Sequence, residues 1–138
     1  MSCFSTGECV IEDDWRTLLD ELTRADGIIL ASPSYFQGVT AQMKTFIDRI
    51  GILELARKRQ DLWGKVGGVI AVARRSGVSS TCNQMLTFLT AVWIAIPRRG
   101  RVFAIGADKG EVLKDKEGVD TARELGNSIV EALKTSQK

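Results

Sequence analysis

The sequence predicts an α/β fold built around a doubly wound parallel sheet. Two short aliphatic runs, 26–31 (DGIILA) and 66–73 (VGGVIAVA), have the continuous hydrophobicity of parallel strands that are buried on both faces. Segments with helical apolar spacing lie around them. Alternating helices and buried strands are typical of a three-layer α/β/α sheet. The 138 residues, 44% of them hydrophobic, indicate one domain, 1–138.

The N-terminal half should contain one helix on each side of the first strand. Asp13 or Asp14 can cap the first helix. Its apolar stripe is formed by Trp15, Leu18, Leu19 and Leu22. Pro33 ends the first strand, and a second apolar stripe follows, formed by Met43, Phe46, Ile47 and Ile50. On the outer side of that helix, Lys44, Asp48 and Arg49 are expected to form surface ion pairs.

The C-terminal half continues the same alternation. Residues 52–65 are mixed and charged, which indicates an exposed helical excursion or loop before the second strand. The paired glycines of that strand permit close helix packing or a nearby ligand. A helix is predicted over 81–92, strand material over 93–96 and 101–105 with Pro97 interrupting it, and a closing amphipathic helix over 119–133.

The composition excludes several kinds of catalytic and binding site. The chain has no histidine, so a Ser-His-Asp triad, a Cys-His dyad and histidine metal ligands are impossible. Nineteen basic against 17 acidic residues leave a net charge of +2, without the clustering of a nucleic-acid-binding surface. No stretch approaches the roughly 20 apolar residues that span a bilayer. We expect a cytoplasmic protein that binds neither nucleic acid nor membrane.

Four segments, in order along the chain, resemble one family. They are CFSTGECVIEDDW (3–15), ADGIILASPSYFQGVTAQMKTFIDR (25–49), GKVGGVIAVARRSG (64–77) and GEVLKDKEGVDTARELGNSI (110–129). The chain resembles the flavodoxin-like NADPH-dependent FMN reductases, and most closely their iron-sulfur flavoprotein branch. The resemblance implies a flavodoxin-like sheet with FMN in the crevice beyond the carboxyl ends of its strands.

The resemblance places the flavin-binding residues in two loops. The predicted contacts are Ser32, Pro33, Ser34, Tyr35 and Phe36 in the first loop, and Arg75, Ser76 and Gly77 in the second. Either aromatic residue could stack on the flavin ring, although a strand-ending turn with its aromatics in the core is the alternative. The second loop could equally be a solvated basic turn, and Ser79, Ser80 or Thr81 could cap the next helix.

The cysteines are the second feature that the resemblance interprets. The iron-sulfur branch carries C-x2-C-x2-C followed closely by a fourth cysteine, and Cys3 and Cys9 match the last two. A 4Fe-4S cluster takes four cysteine ligands, so it is expected here only if further cysteines precede Met1. The alternative is two free cytosolic thiols. Cys82 lies in a helical pattern and is expected in the core.

The resemblance also implies that the first strand corresponds to the third strand of the family. The preceding βαβ unit, with the loop that holds the FMN phosphate, would then be missing, and Met1 would reflect a late start or a truncated gene. The first strand would become an exposed edge, which favours pairing with other chains. We therefore expect a homo-oligomer.

Two functions follow, and a third is weaker. The first is an FMN-dependent NAD(P)H oxidoreductase that passes electrons from a nicotinamide nucleotide or a ferredoxin-like donor. The alternative is a catalytically silent, truncated remnant or oligomerisation module. The weaker option is a nucleotide-binding module that uses 74–81 (RRSGVSST) as an anion cradle.

A second basic cluster could bind an NADPH phosphate or simply aid solubility; it consists of Arg98, Arg99 and Arg101.

Overall fold

The computed structural model describes residues 2–58 and 61–136, which form an α/β/α arrangement. The helices are α1 (Ser2–Thr6), α2 (Trp15–Arg24), α3 (Ala41–Ala56), α4 (Val78–Ala91) and α5 (Lys116–Ser136). The strands are β1 (Gly27–Pro33), β2 (Val66–Ala73) and β3 (Arg101–Ile105), and a 3-10 turn spans Glu111–Lys114. No helix in these two ranges is both long and apolar enough to cross a membrane.

The three strands form a parallel sheet in the order β1-β2-β3. Ile29 pairs with Gly68, and Ile70 pairs with Val102. This confirms the predicted parallel sheet and places the carboxyl ends of all three strands at one edge of it. Within the described residues β1 has a partner on one side only, so the predicted exposed edge is present.

Helices cover both faces of the sheet. On one face α2, α3 and α4 build the larger core, in which Phe46 contacts the rings of Trp15 and Phe88 at centroid distances of 6.4 and 6.0 Å. On the other face Leu125 and Ile129 of α5 pack against β2 and β3. Helix α5 on one face and the segment that follows α4 on the other come close to β2, because its paired glycines carry no side chain. A Cβ on Gly67 would collide with Ile94, and one on Gly68 with Leu125.

One face of β1 is open, which corrects the prediction that this strand is buried on both faces. Ile28 and Leu30 point into the larger core, whereas Ile29 and Ala31 are exposed. Ile29 pairs with Gly68 and therefore shares the α5 side of the sheet. Helix α5 packs mainly against β2 and β3 and reaches β1 only at Gly27, where Ile129 lies close, so it leaves Ile29 and Ala31 uncovered.

Four local predictions are also wrong. The segment 93–96 is not a strand: Trp93 has a positive φ of 63°, and only Ala95 makes a single bridge to Val66. The segment 52–65 is not simply an exposed excursion: α3 runs on to Ala56, Leu53 and Leu62 are buried in the core, and 59–60 lie outside the described residues. Helix α4 begins at Val78 rather than residue 81. Leu18 of the predicted apolar stripe is exposed.

Candidate flavin site

The loop after β1 presents two aromatic side chains to solvent. Tyr35 and Gly38 exchange backbone hydrogen bonds of 2.9 and 3.2 Å across a tight turn. The two residues between them, Phe36 and Gln37, both have positive φ, 48° and 71°, as a type I′ turn requires. Phe36 is fully exposed and Tyr35 largely so. The alternative that places these aromatics in the core is wrong.

The loop after β2 is tied to this turn. The Gln37 side-chain amide donates to Ser76 Oγ at 3.2 Å, and the Ser80 hydroxyl donates to the Gln37 carbonyl at 2.6 Å. Gly77 has a φ of 95°, and a Cβ added there would collide with Ser34 Oγ. Only glycine combines this backbone conformation with this spacing. The two predicted loops therefore form one structural unit.

A pocket of about 370 Å³ opens between the loops, lined by Ser34, Arg74, Arg75 and Ser76. The hydroxyl of Ser34 is buried without a hydrogen-bond partner among the described residues, which leaves it free to bond a ligand atom. Helix α4 starts beside the pocket with no side-chain cap, so its first backbone N–H groups are also unpaired within the helix. Hydroxyl, guanidinium and backbone donors suit the polar edge of a flavin ring, and the exposed aromatics suit its face.

Ser32, another of the predicted flavin contacts, has a structural task as well. Ser32 is buried; its hydroxyl donates to the Pro33 carbonyl at 2.9 Å and accepts from Thr40 N at 3.1 Å. Thr40 in turn caps α3 through Met43 N. The proposed cap of the next helix by Ser79, Ser80 or Thr81 is wrong, because these three residues lie inside α4 and Gly77 is its N-cap.

A second cluster surrounds Cys9. The Arg49 guanidinium lies 3.1 Å from Cys9 Sγ, donates to both carboxylate oxygens of Asp13 at 2.7 and 3.0 Å, and sits 4.1 Å from the Trp15 ring centroid. Arg49 is therefore not a member of the predicted surface ion pairs, whereas Lys44 and Asp48 do pair, at 2.6 Å. Sequence spacing did not show this role because Arg49 lies 36 residues from Asp13 in the chain.

The surroundings of Cys9 favour its ionised form. Burial works to raise the pKa of the thiol, but hydrogen bonds from the Ile11 backbone and the Arg49 guanidinium outweigh it, so the pKa falls below the ordinary value. The hydrogen bond from Arg49 also lowers the pKa of Asp13, and Asp13 in turn raises that of Arg49. By contrast, burial raises the pKa of Cys82 to about 11. Cys82 is fully buried, as predicted.

The cysteines do not by themselves form a cluster site. Cys3 and Cys9 are both half-buried free thiols. Within 2–58 and 61–136, no three metal-ligating side chains come together, and two thiolates are half of what a 4Fe-4S cluster needs. The residues described here therefore do not fit that cluster, and the role of Cys3 and Cys9 as its ligands stays a prediction.

Comparison with known proteins identifies the family. Residues 2–110 match the family model of the NADPH-dependent FMN reductases. An iron-sulfur flavoprotein of Methanocaldococcus jannaschii is 35% identical over 144 residues, which cover 99% of this chain and 73% of that protein. An iron-sulfur flavoprotein of Archaeoglobus fulgidus is 36% identical over 137 residues, which cover 99% of this chain and 60% of that protein. The chain thus spans only part of each relative.

Solved structures show the same fold. RosB, solved with 8-demethyl-8-formylriboflavin-5'-phosphate, matches 93% of this chain and 55% of its own with a TM-score of 0.80 at 17% identity. A flavodoxin, WrbA-like protein from Agrobacterium tumefaciens matches 86% of this chain and 74% of its own with a TM-score of 0.57 at 21% identity. The fold is therefore flavodoxin-like, as predicted. The chain belongs to the NADPH-dependent FMN reductase family, within its iron-sulfur flavoprotein branch.

Proposed function

We propose that this chain is the larger part of an FMN-dependent oxidoreductase, with the flavin ring bound between the loops that follow β1 and β2. The electron donor is a nicotinamide nucleotide or a ferredoxin-like protein. When bound, the flavin supplies hydride and single-electron transfer, which no side chain can perform alone. Family membership supports FMN as the ligand.

The observation that carries the proposal is the pairing of exposed aromatics with a basic pocket. Phe36 is fully exposed at the tip of a tight turn, where nothing in the described chain covers it. The pocket lined by Ser34 and Arg75 opens between this turn's loop and the next. Parallel α/β sheets bind their ligands at this edge, beyond the carboxyl ends of the strands.

Each part of the site has a defined task in this proposal. Tyr35 and Phe36 offer faces on which the isoalloxazine can stack. Ser34 and Ser76 offer hydroxyl groups to its polar edge, and the positive charge of Arg75 favours the anionic reduced ring over the neutral oxidised one. The hydrogen bond between Gln37 and Ser76 holds both loops in place, so the loops lose little conformational freedom when they bind the flavin.

The test is an FMN titration followed by flavin fluorescence, with the chain and two variants. Phe36→Ala should weaken FMN binding by about 2- to 12-fold, the equivalent of the 0.5–1.5 kcal/mol of one aromatic contact. Trp63→Ala is the matched control, because Trp63 is also exposed but lies before the amino end of β2. It should leave FMN affinity unchanged. Lumiflavin, which has the ring without the phosphate, is titrated in parallel, and no change in the fluorescence of either flavin with the unmodified chain would sink the proposal.

A second candidate function is assembly, and the uncovered side of β1 favours it. The edge of β1 has no partner strand in the described residues, and Ile29 and Ala31 beside it are exposed. Open apolar edges pair with other chains. In this reading the chain is a silent module that self-associates into a homo-oligomer. Light scattering over a dilution series tests it, and a stable monomer at every concentration would contradict it.

A further inference from the structure

We propose that Glu54 is a protonated carboxylic acid in the native chain, and that loss of its proton releases the turn 61–65 from the core. Glu54 lies in the last turn of α3 and is only 1% exposed. Glutamate is almost never buried to this degree unless it is paired. The site is separate from the proposed flavin site, because the end of α3 lies near the amino end of β2 and the flavin loops follow the carboxyl ends of the strands.

The hydrogen bonding of Glu54 suits a neutral acid. Leu62 N donates to Glu54 Oε2 at 3.3 Å, which is a long contact. The other oxygen, Oε1, is buried and has no partner in the described part of the chain. An ionised carboxylate offers about four acceptor sites, and a buried charge with so few donors around it is costly. The neutral form avoids most of this cost.

The charged groups around Glu54 do not supply a partner either. Burial raises the pKa of Glu54 most, the negative charge of Asp61 raises it further, and the Leu62 N–H, Arg57 and Lys65 offset this only in part. Arg57 donates to Asp61 at 2.6 Å, and Lys65 Nζ donates to two backbone carbonyls at the end of α2, at 2.7 and 2.6 Å. Both cations are thus engaged elsewhere.

The helices that pack on α3 add no charged side chain. They are α1 and α4, and their titratable residues are Cys3 and Cys82. The groups that decide the protonation of Glu54 therefore lie in its own segment and in the turn itself.

The turn links this carboxyl group to the N-terminal segment. The side chain of Leu62 is 1% exposed in the larger core, so it is uncovered when the turn opens. Asp61 holds Arg57, and Arg57 Nε donates to the Gly7 carbonyl at 2.9 Å. Gly7 belongs to the segment that carries two of the three cysteines. Release of the turn therefore also loosens the hold on that segment.

The linkage between proton binding and opening has a definite direction. When the turn opens, water reaches Glu54 and its pKa returns to the ordinary glutamate value of about 4.3. Below that value the acid is protonated in both forms, and its full contribution to the closed turn is present. The contribution is lost as the pH rises from the ordinary pKa through the raised one, because the open form gives up its proton first.

Three other carboxyl groups act in the opposite direction. Hydrogen bonds lower the pKa of Asp13, Glu111 and Asp115, so the stability that they contribute is lost as the pH falls. The pH dependence of the unmodified chain is the sum of both effects, and a substitution of Glu54 isolates its part.

The test compares hydrogen exchange of the Leu62 amide in the unmodified chain, in Glu54→Gln and in Glu131→Gln. Glutamine keeps the shape of the side chain and cannot ionise. In the unmodified chain, exchange corrected for its intrinsic rate should become faster above about pH 4.3, by up to about tenfold per pH unit, the limit for one proton. Glu54→Gln should remove this slope. Glu131 is exposed on α5, so Glu131→Gln should keep it.

A second measurement needs no variant. Carbon-13 NMR of the unmodified chain follows the titration of each glutamate carboxyl group directly, and Glu54 should titrate above the ordinary value. A Glu54 pKa at or below the ordinary value would overturn the proposal. A raised pKa together with equal Leu62 slopes in all three chains would overturn the link between the proton and the turn.

Discussion

At the scale of single residues, Arg49 connects more of the structure than any pattern around it suggests. It projects from α3 and contacts Cys9, Asp13 and Trp15, so it ties the N-terminal segment to the core. The guanidinium donates in several directions in one plane while its face lies on an indole ring. Lysine cannot reproduce this combination. The lowered pKa of Cys9 depends in part on the same side chain.

This dependence can be measured by alkylation of Cys9. Arg49→Gln removes the nearby cation, so the pKa of the thiol should rise and the rate of alkylation by iodoacetamide at pH 7 should fall several-fold. The difference should shrink as the pH rises above the ordinary thiol pKa, because both proteins are then thiolates. Peptide mapping assigns the label to Cys9.

Arg16→Gln is the matched control, since Arg16 is an exposed arginine that lines the same pockets as Cys9 and makes no hydrogen bond to its thiol. It should leave the rate unchanged. Equal rates at pH 7 for Arg49→Gln and the unmodified chain would show that Arg49 does not set the state of the thiol.

At the scale of elements, the site is formed by contacts between two strand-to-helix loops, and neither loop forms it alone. The Gln37 amide meets Ser76 Oγ across 39 residues of sequence. Gly77 faces Ser34 with no room for a side chain. The β1 loop is therefore held in place by the start of α4 as much as by its own turn.

Gly77→Ala tests the close contact between the two loops. The comparison is a substitution at a glycine that has room for a side chain. Alanine at a φ of 95° is strained, and its Cβ would collide with Ser34, so unfolding free energy should fall by about 2 kcal/mol or more. Gly51 lies within α3, and a Cβ there meets nothing within 4 Å. Gly51→Ala should stabilise the chain by about 0.5–1 kcal/mol. Urea denaturation measures both, and equal effects in the two variants would contradict the described packing.

Hydrophobic periodicity predicted most elements, because it reports which side chains a sheet or helix must bury. It found β1, β2, α3 and α5 with small errors at their ends. It failed at 93–96, where an apolar run packs without extending, since the positive φ of Trp93 turns the chain. The loop residues of the site came from the family resemblance. The hydrogen bond of Gln37 and the contacts of Arg49 involve partners that are distant in sequence, and no local sequence pattern encodes such contacts.

At the scale of the whole molecule, the fold is unevenly covered. Helix α5 shields β2 and β3, while β1 keeps both an open edge and an exposed apolar face. Ile29 is 46% exposed in the middle of that face. A parallel sheet is ordinarily covered on both sides, so this surface favours association.

Ile29→Gln should reduce that association. The substitution lowers the apolar area that a second chain can bury while leaving the backbone edge intact. The average mass from light scattering should fall toward that of the monomer. Leu55→Gln is the control, because Leu55 is equally exposed at 47% but lies on α3, away from the sheet edge. A mass unaffected by Ile29→Gln would mean that this face is not the contact.

The hydrogen bond between the two loops has a consequence for the stability of the folded chain. Gln37 and Ser76 lie on the loops that follow β1 and β2, and the pairing of these strands brings the loops together. The site proposed for the flavin ring is therefore present in the native state and not in the unfolded chain. Any ligand bound there stabilises the whole fold by mass action, by about 2.7 kcal/mol at a hundred times its Kd. A bound cofactor would thus raise the fraction of this protein that is folded.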